Sequence, residues 1–472
     1  MKRSFVAFLA FFTSFAFVQA QVTPAKSYTV PDCDCVKQLD DIADFMKDNY
    51  VGYGDKLKHI GPAVYLKKMG ALKKMAQQPN GKDRCLAIIN AYLTLFNDQH
   101  IGISTNFDAT LTDSAYAKTR ELAPVSQKTI DRLKKSTGIE GIYISKYDSS
   151  YTIALVKDKT LVGDYTGIIT DTKLPHWKKG QVKLIMKQVN DSLYKGVMYM
   201  RNQQPKIDYF LVGKNTVGGD WLREGATKPV YNREYMPVDA RPLTDQTFYI
   251  KISSFEPYNW KNIDSVFKLY DSTLKRTPNL VLDLRNNGGG ADFAYMPILP
   301  LIYTKPIKTI GVDVLSTDAT IKGWKTILND PDIPETSRKN IEGMISQMET
   351  NKGKLVNIAD DEVDSSFTVL PYPKKVVVLI NQNCASTTEQ FLLAARQSDK
   401  VILAGQRTGG VLDYSNVRMA PFSCMPYNLR FSTTRSRRVD VGQGIDNSGI
   451  KPNVVLSPKV DWIQEAVKLA EK

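Results

Sequence analysis

The sequence predicts an α/β fold, and three observations lead to it. Four near-continuous apolar runs, Phe248 to Ile252, Leu280 to Leu284, Val376 to Ile380 and Val401 to Ala404, read as strands buried on both faces. Helical segments lie between them, so strand and helix alternate. Ahead of this core come a helix-patterned segment and a set of short β-branched or aromatic runs separated by Asp, Ser and Gly.

The helix-patterned segment belongs to residues 21–105. Val36, Leu39, Ala43 and Met46 repeat at helical spacing, as do Leu66, Met69, Leu72 and Met75, and then Leu86, Ile89, Leu93 and Phe96. The last of these helices runs into Asn97-Asp98-Gln99-His100. Residues 106–240 form the β-rich module. Its runs at Ile142 to Ile144, Tyr151 to Val156, Tyr165 to Thr170, Val182 to Met186 and Gly196 to Met200 predict antiparallel strands, with a small barrel as one form they can take. It shows no PDZ pattern. The α/β core occupies 241–472. A polar stretch at 312–368, with an amphipathic helix marked by Ile341, Met344, Ile345 and Met348, reads as a lid insertion in it. No internal repeat or low-complexity tract interrupts the chain.

Residues 1–20 read as a secretory signal peptide. Lys2 and Arg3 precede an apolar run from Phe5 to Val18, which ends at Val18-Gln19-Ala20. The run is short for a membrane span and contains Thr13 and Ser14. No cysteine stands at the cleavage point, which argues against a lipid anchor. The reading is therefore of an exported chain, periplasmic or extracellular and bacterial, with no integral membrane span. Phe293 to Tyr303 comes nearest to a later apolar stretch, and Pro297 and Pro300 interrupt it.

The net charge of +14 falls to 14 − 2 = +12 once Lys2 and Arg3 are removed. The lysines are scattered and carry no zinc-finger, helicase or RNA-binding signature, so nucleic acid is not an expected partner. Five cysteines, Cys33, Cys35, Cys85, Cys384 and Cys424, are an odd count for an oxidising compartment. Cys33 and Cys35 are too close to bridge each other without strain, so one of them pairing with Cys85 is the expected disulfide. No Cys/His set has ligand spacing, and neither a structural zinc nor any cofactor is expected.

The chemistry concentrates in the core. Val376 to Ile380 is a buried strand, Asn381 to Ala385 a tight polar turn, and a helix begins just after Ser386. A serine there meets the positive end of the helix dipole, where developing negative charge is favoured. That suits acyl transfer through an oxyanion, although serine is also an ordinary N-cap residue. A second element sits after another buried strand: Asn279 to Arg285 leads straight into Asn286-Asn287-Gly288-Gly289-Gly290. Three glycines permit close backbone approach, and their amides are candidate oxyanion donors. The run matches neither phosphate-binding fingerprint.

These residues carry a resemblance. Leu282 to Gly289 is similar to the "DLRxNxGG" motif of the C-terminal-processing peptidase family, and Asn381 to Glu389 to its "N-x-x-S-A-S-x-x-E" nucleophile turn. Gly405 to Gly410 is similar to the following "G-x-x-T-x-G", and Gly449 to Asn453 to the closing "G-I-x-P-D". The four motifs stand in the family's order across about residues 245 to 458. The resemblance implies a spiral core of strand-strand-helix units, as in Clp protease and crotonase, and a serine endopeptidase acting on polypeptides. The chain departs from the pattern at Cys384, which replaces a serine, and at Asn453, which replaces an aspartate. The lysine of the family's Ser/Lys branch is absent, with Val411 in its place. The tricorn-like branch uses histidine, and Asp98-Gln99-His100 resembles its "D-G-H" with Gln99 for the glycine. His59 and His176 have no such context.

The resemblance thus implies Ser386 as nucleophile, His100 as general base and acid, and Asp446, three residues before Gly449, as the acid that orients the imidazole. Backbone amides of Thr387 and of Gly288 or Gly289 are the expected oxyanion donors. Cys384 as the nucleophile is the weaker choice, since it lies two residues earlier in the turn. Glu389 is expected to be a helix-terminal charge or a local hydrogen bonder, and Arg435, Arg437 and Arg438 a solvated loop, with binding of a substrate carboxylate as the alternative. The rival readings are a secreted pseudoenzyme of this fold that only binds peptides or other ligands, and a crotonase-like enzyme acting on acyl-thioesters. The export signal disfavours the latter.

Overall fold

The computed structural model describes residues 33–105, 120–227 and 237–472, apart from positions 147, 159, 332 and 334. The signal-peptide reading of residues 1–20 lies outside them, as do the start of the 21–105 segment and residues 106–119 and 228–236 of the 106–240 module. The chain divides into two compact units. One holds the described residues up to 227 together with Met419–Phe431, and the other those from 237 to 418 together with Ser432–Lys472.

The first unit opens with helices Cys35–Asn49, Tyr53–Ile60, Pro62–Ala76 and Gly81–Thr94. Asp34 caps the first, its carboxylate accepting from the amides of Val36 and Lys37 at 2.8 and 3.1 Å. Leu39 and Met46 turn inwards, as their spacing predicts, together with Ile42, while Val36 and Ala43 are only half-buried. The short helix Tyr53–Ile60 has no apolar stripe to announce it, because the residue it buries is Lys56. Cys35 is bridged to Cys85, one of the two pairings expected. A second bridge, Cys33–Cys424, spans 391 residues of sequence and was not anticipated. Cys384 stays reduced and buried.

Strand β1 (Gly102–Thr105) leaves this helical segment and pairs antiparallel with residues Tyr427 to Arg430. The module then follows as β2 (Gly141–Ser145), β3 (Tyr151–Lys157), β4 (Tyr165–Thr172), β5 (Val182–Gln188), β6 (Leu193–Tyr199), β7 (Pro205–Leu211), β8 (Thr216–Val217) and β9 (Trp221–Arg223). All neighbours are antiparallel, in the order β7-β6-β5-β4-β3-β2-β9-β8. A bridge between Val212 and Val217, with the Gly218 amide on the Leu211 carbonyl at 3.0 Å, joins the two ends, so the sheet closes into a barrel. The stretch from β7 to β9 has little apolar alternation, and its strands were not legible in the sequence.

In the second unit β10 (Val238–Pro242) runs antiparallel to β11 (Thr247–Ile252), and β12 (Asn279–Asp283) lies parallel to β11. After β13 (Ile307–Thr309), β14 (Val312–Leu315), β15 (Leu355–Ala359) and β16 (Glu362–Asp364), the sheet resumes with β17 (Lys375–Ile380) and β18 (Val401–Gly405), both parallel. Beyond β19 (Tyr414–Pro421) and β20 (Tyr427–Ser436), β21 (Val454–Val455) completes the order β10-β11-β12-β17-β18-β21. This is an α/β core. Alternation along the strands sorts the side chains to two faces. Ile250, Leu282, Val378 and Ile380 face one cluster with helices Trp260–Leu269 and Thr387–Ala395. Tyr249, Val281, Val377 and Leu379 face another under helix Trp462–Glu471. Each buried aliphatic side chain contributes roughly 1.5–3 kcal/mol to holding the strand ends in register.

Residues 312–368 build their own small core around Trp324, with Ile341, Met344, Ile345 and Met348 on the expected helix, which spans Glu335–Thr350. The three arginines after β20 correct one expectation. Arg438 is buried on Asp413, Arg437 bridges Asp313 and Asp361, and Arg435 pairs with Asp440. Arg437 and Arg438 are thus tied to carboxylates on distant segments, which charge count cannot reveal, and Arg435 to one five residues further on.

Candidate active site

Ser386 sits where β17 has ended and helix Thr387–Ala395 begins, with φ 55° and ψ −125°. A non-glycine residue there is strained by about 1–3 kcal/mol and persists only when its surroundings hold it. Its amide donates to the Val411 carbonyl at 3.0 Å, and its carbonyl accepts from Gln390 at 3.0 Å. The turn itself is tied by Asn381, whose side chain exchanges hydrogen bonds with the Asn286 amide and side chain at 2.9 and 2.8 Å.

The glycine run is pressed against this turn. A Cβ added to Gly289, which has φ 103°, would lie 2.7 Å from the Ala385 carbonyl oxygen, 2.8 Å from Ser386 Cβ and 2.9 Å from the Thr387 amide. Only glycine fits there. Asn287 is fully buried and holds the approach: its Nδ2 donates to the Ile252 carbonyl (3.2 Å), and its own carbonyl accepts from the Ala385 amide and the Thr388 hydroxyl. Its Oδ1 accepts the Gly289 amide at 3.0 Å, which commits that donor inside the loop. Further back, Asp283 takes both Arg285 Nε and Nη2 and the Tyr249 hydroxyl, so the charged residues of the "DLR" motif brace the strand end.

Glu389 is a local hydrogen bonder. Fully buried, it accepts from the amides of Gly410 and Val411 at 2.8 and 2.7 Å, from the Thr408 hydroxyl, and from the Ser386 amide at 3.3 Å. Burial pushes its carboxyl up to about 7, with the Thr408 hydroxyl and the two amides pulling the other way. Thr408 in turn accepts from the Ile450 amide, so its hydroxyl proton must point at Glu389. Both carboxylate oxygens therefore face donors. Glu389→Gln would turn an NH2 group against N–H or O–H donors. The expected result is a loss of about 2–4 kcal/mol in denaturant unfolding together with reduced turnover. Unchanged stability would show that the clamp does not hold the turn.

Asp446 accepts the amides of Leu412 and Asp413 on one oxygen at 3.1 and 3.0 Å. Asp413 returns the arrangement, accepting from the amides of Ile445 and Asp446 and from Arg438. The two segments are thus locked face to face beside Val411, the residue that receives the Ser386 amide. Asn453, the departure in the closing motif, accepts from the Leu403 amide through Oδ1 at 2.8 Å, a task aspartate performs equally.

His100 belongs to the first unit. Its amide donates to Asp98 Oδ1 at 2.8 Å, and Asp98 Oδ2 accepts the Tyr50 hydroxyl at 2.8 Å. The buried aspartate thereby fixes the backbone where the helix Gly81–Thr94 gives way to β1. Cys384 is fully buried, with its thiol on the Leu284 carbonyl, and burial pushes it up to about 12. A thiol so placed is not a nucleophile at neutral pH.

Sequence reasoning missed Asp292, which follows the glycine run and hydrogen-bonds Thr387, the neighbour of Ser386. Burial pushes its carboxyl up to about 6, opposed by that hydrogen bond. The folded chain then holds more protons than the unfolded one between about pH 4 and 6, so stability falls as pH rises through that window. Asp292→Asn should remove the dependence and gain about 3 kcal/mol over the wild type at pH 7. Melting curves from pH 4 to 7 read it, and parallel curves for the two chains would contradict it. The only sequence signal was an acid close behind three glycines.

Residues 246–456 match the family model described as peptidase family S41. No curated protein sequence matches the chain. Among solved structures it is similar to mature CPAF complexed with lactacystin, at 12% identity and TM-score 0.49, over 93% of this chain and 97% of that one. A photosystem II D1 C-terminal processing protease aligns at 13% identity and TM-score 0.38, over 93% of this chain and 98% of that one. A putative peptidase from Parabacteroides merdae aligns at 14% identity and TM-score 0.40, over 94% and 96% of the two chains.

Proposed function

From the premise that residues 246–456 are the peptidase family S41 domain of a serine-type peptidase of the C-terminal-processing family, we propose that Ser386 is its nucleophile. The observation that carries the proposal is the strained Ser386 backbone at a strand-to-helix turn, with Gly289 held against it. Ser386 Oγ attacks the peptide carbonyl. His100 takes its proton and returns it to the leaving amine, and Asp446 orients the imidazole. The support for His100 is its motif and the aspartate that fixes its backbone. The oxyanion is held by the Thr387 amide at the helix start and by the glycine loop. Because the Gly289 amide is committed to Asn287, Gly288 is the better of the two glycine donors.

The core sheet, parallel through β11, β12, β17 and β18, is consistent with the ClpP/crotonase-like spiral. Export to the periplasm or beyond is supported by the charged and apolar head of the sequence and by two disulfides, which persist in oxidising compartments. Substrates are peptides, and the chain needs no cofactor in this scheme. Hydrolysis of an unstructured peptide that disappears in Ser386→Ala is the expected result. Hydrolysis surviving that change would move the nucleophile elsewhere.

A further inference from the structure

The glycine loop beside Ser386 is anchored on two sides, by residues that all lie in the second unit. On one side Phe255 donates its amide to the Gly289 carbonyl at 3.0 Å and accepts the Ala291 amide at 2.9 Å. A Cβ on Gly290 would lie 2.1 Å from the Phe255 carbonyl carbon, so the loop has no room to shift that way. On the other side the Gly290 carbonyl accepts the Thr387 hydroxyl at 2.8 Å, and no backbone amide of the described residues is bonded to that oxygen. Thr387 is buried and opens the helix that follows Ser386. Its hydroxyl therefore joins the helix start to the loop that carries Gly288.

Asp292, the first residue of the 3-10 turn Asp292–Ile298, hydrogen-bonds the Thr387 side chain as well. A hydroxyl has a single proton to give and lone pairs to accept with. With that proton on the Gly290 carbonyl, the Thr387 oxygen can only accept, so the proton of the Asp292–Thr387 bond belongs to the carboxyl. The neutral acid thus completes a chain from Asp292 through Thr387 Oγ1 to the Gly290 carbonyl. An ionised carboxylate can only accept. Thr387 then turns its proton to Asp292, where the bond is charge-assisted and stronger, and the Gly290 carbonyl loses its donor. Asp292 is part-buried rather than sealed, which leaves its proton a path to solvent.

The titratable groups on the elements packed about Asp292 are few. They are Tyr295 on its own turn, Glu389 on helix Thr387–Ala395, Glu256 next to Phe255, and Lys261, Asp264 and Lys268 on helix Trp260–Leu269. Glu389 is committed to Thr408, Gly410 and Val411, and Lys268 to Asp264. Burial and Thr387 alone move the Asp292 carboxyl, to about 6.

We propose that Asp292 is a positioning residue for the oxyanion loop, which it holds through Thr387 while its carboxyl is neutral and releases when the carboxyl ionises. The inference rests on the reading of Ser386 as nucleophile with the Thr387 and Gly288 amides as oxyanion donors, and gives that site a control by pH. The step passes one proton from the carboxyl to water and breaks no other covalent bond. Its sign is fixed: the loop is held below about pH 6 and loosened above it.

The test compares kcat of the wild type and Asp292→Asn on one unstructured peptide from about pH 5 to 8. Asparagine keeps a donor for Thr387 that does not titrate there. Taking the ratio of the two chains cancels every other titration they share. The wild-type to variant ratio should be about one at pH 5 and fall about tenfold by pH 8, with its midpoint near 6. Thr387→Ser keeps the hydroxyl and should show the same fall on adding Asp292→Asn, whereas in Thr387→Val the ratio should be flat. A flat ratio in the wild-type background would overturn the proposal. So would an Asp292→Asn chain slowed by one factor at every pH, the mark of a merely structural role. Hydrogen exchange of the glycine loop is read on the same two chains. The wild-type loop should exchange about tenfold faster than that of Asp292→Asn at pH 8 and equally at pH 5, and equal exchange at both would contradict the chain. If the wild type cuts nothing, the peptidase reading fails by itself and the exchange measurement decides the inference alone.

Discussion

Ser386→Ala is expected to lower kcat for peptide hydrolysis by about 10,000-fold or more, since no nucleophile remains to form the acyl-enzyme. The melting temperature should hardly move, because alanine inherits the same positive φ and leaves the backbone bonds to Val411 and Gln390 in place. Ser386→Gly separates strain from chemistry. Glycine adopts φ 55° without cost, so that variant should be equally inactive and more stable by about 1 kcal/mol. A destabilised Ser386→Gly chain would mean that the side chain, not the backbone, shapes the turn. Strain retained at a position where glycine is better tolerated is the signature of a side chain kept for function.

His100→Ala should cost about 1,000-fold or more in kcat, as removal of a general base does in a Ser/His/acid site. The informative comparison is the double variant. Groups that act as one unit are not additive, so Ser386→Ala with His100→Ala should be no slower than Ser386→Ala alone. Turnover above about a tenth of wild type in His100→Ala would remove the histidine from the scheme and reopen the search for a base. Asp98 offers a control. It holds the His100 amide and the Tyr50 hydroxyl, so its loss should loosen the segment and lower stability as well as rate.

Much of the core was legible because its signals are local. Val376 to Ile380 and Leu280 to Leu284 are short, apolar and bounded by polar turns, which only a strand buried on both faces explains. Ser386 and the glycine run were legible as motifs, and their contact followed from the parallel pairing of β12 with β17. What escaped depends on long-range geometry. The Cys33–Cys424 bridge and the Arg438–Asp413 pair join distant segments, and no spacing rule connects them. Asp292 escaped because its environment, not its identity, raises its pKa. Strands β7 to β9 escaped because barrel closure, rather than an apolar repeat, holds them in place. The clamp by Glu389 was half visible: a helix-terminal carboxylate was expected, but the loop at Thr408 to Val411 that it gathers was not.

The central claim, a peptidase whose nucleophile is Ser386, is tested most directly by incubating an unstructured peptide mixture with the wild-type chain and with Ser386→Ala, and reading the products by mass spectrometry. The account predicts new termini with the wild type and none with the variant. Cleavage by both chains would place the nucleophile elsewhere, and cleavage by neither would favour a binding protein built on the same fold.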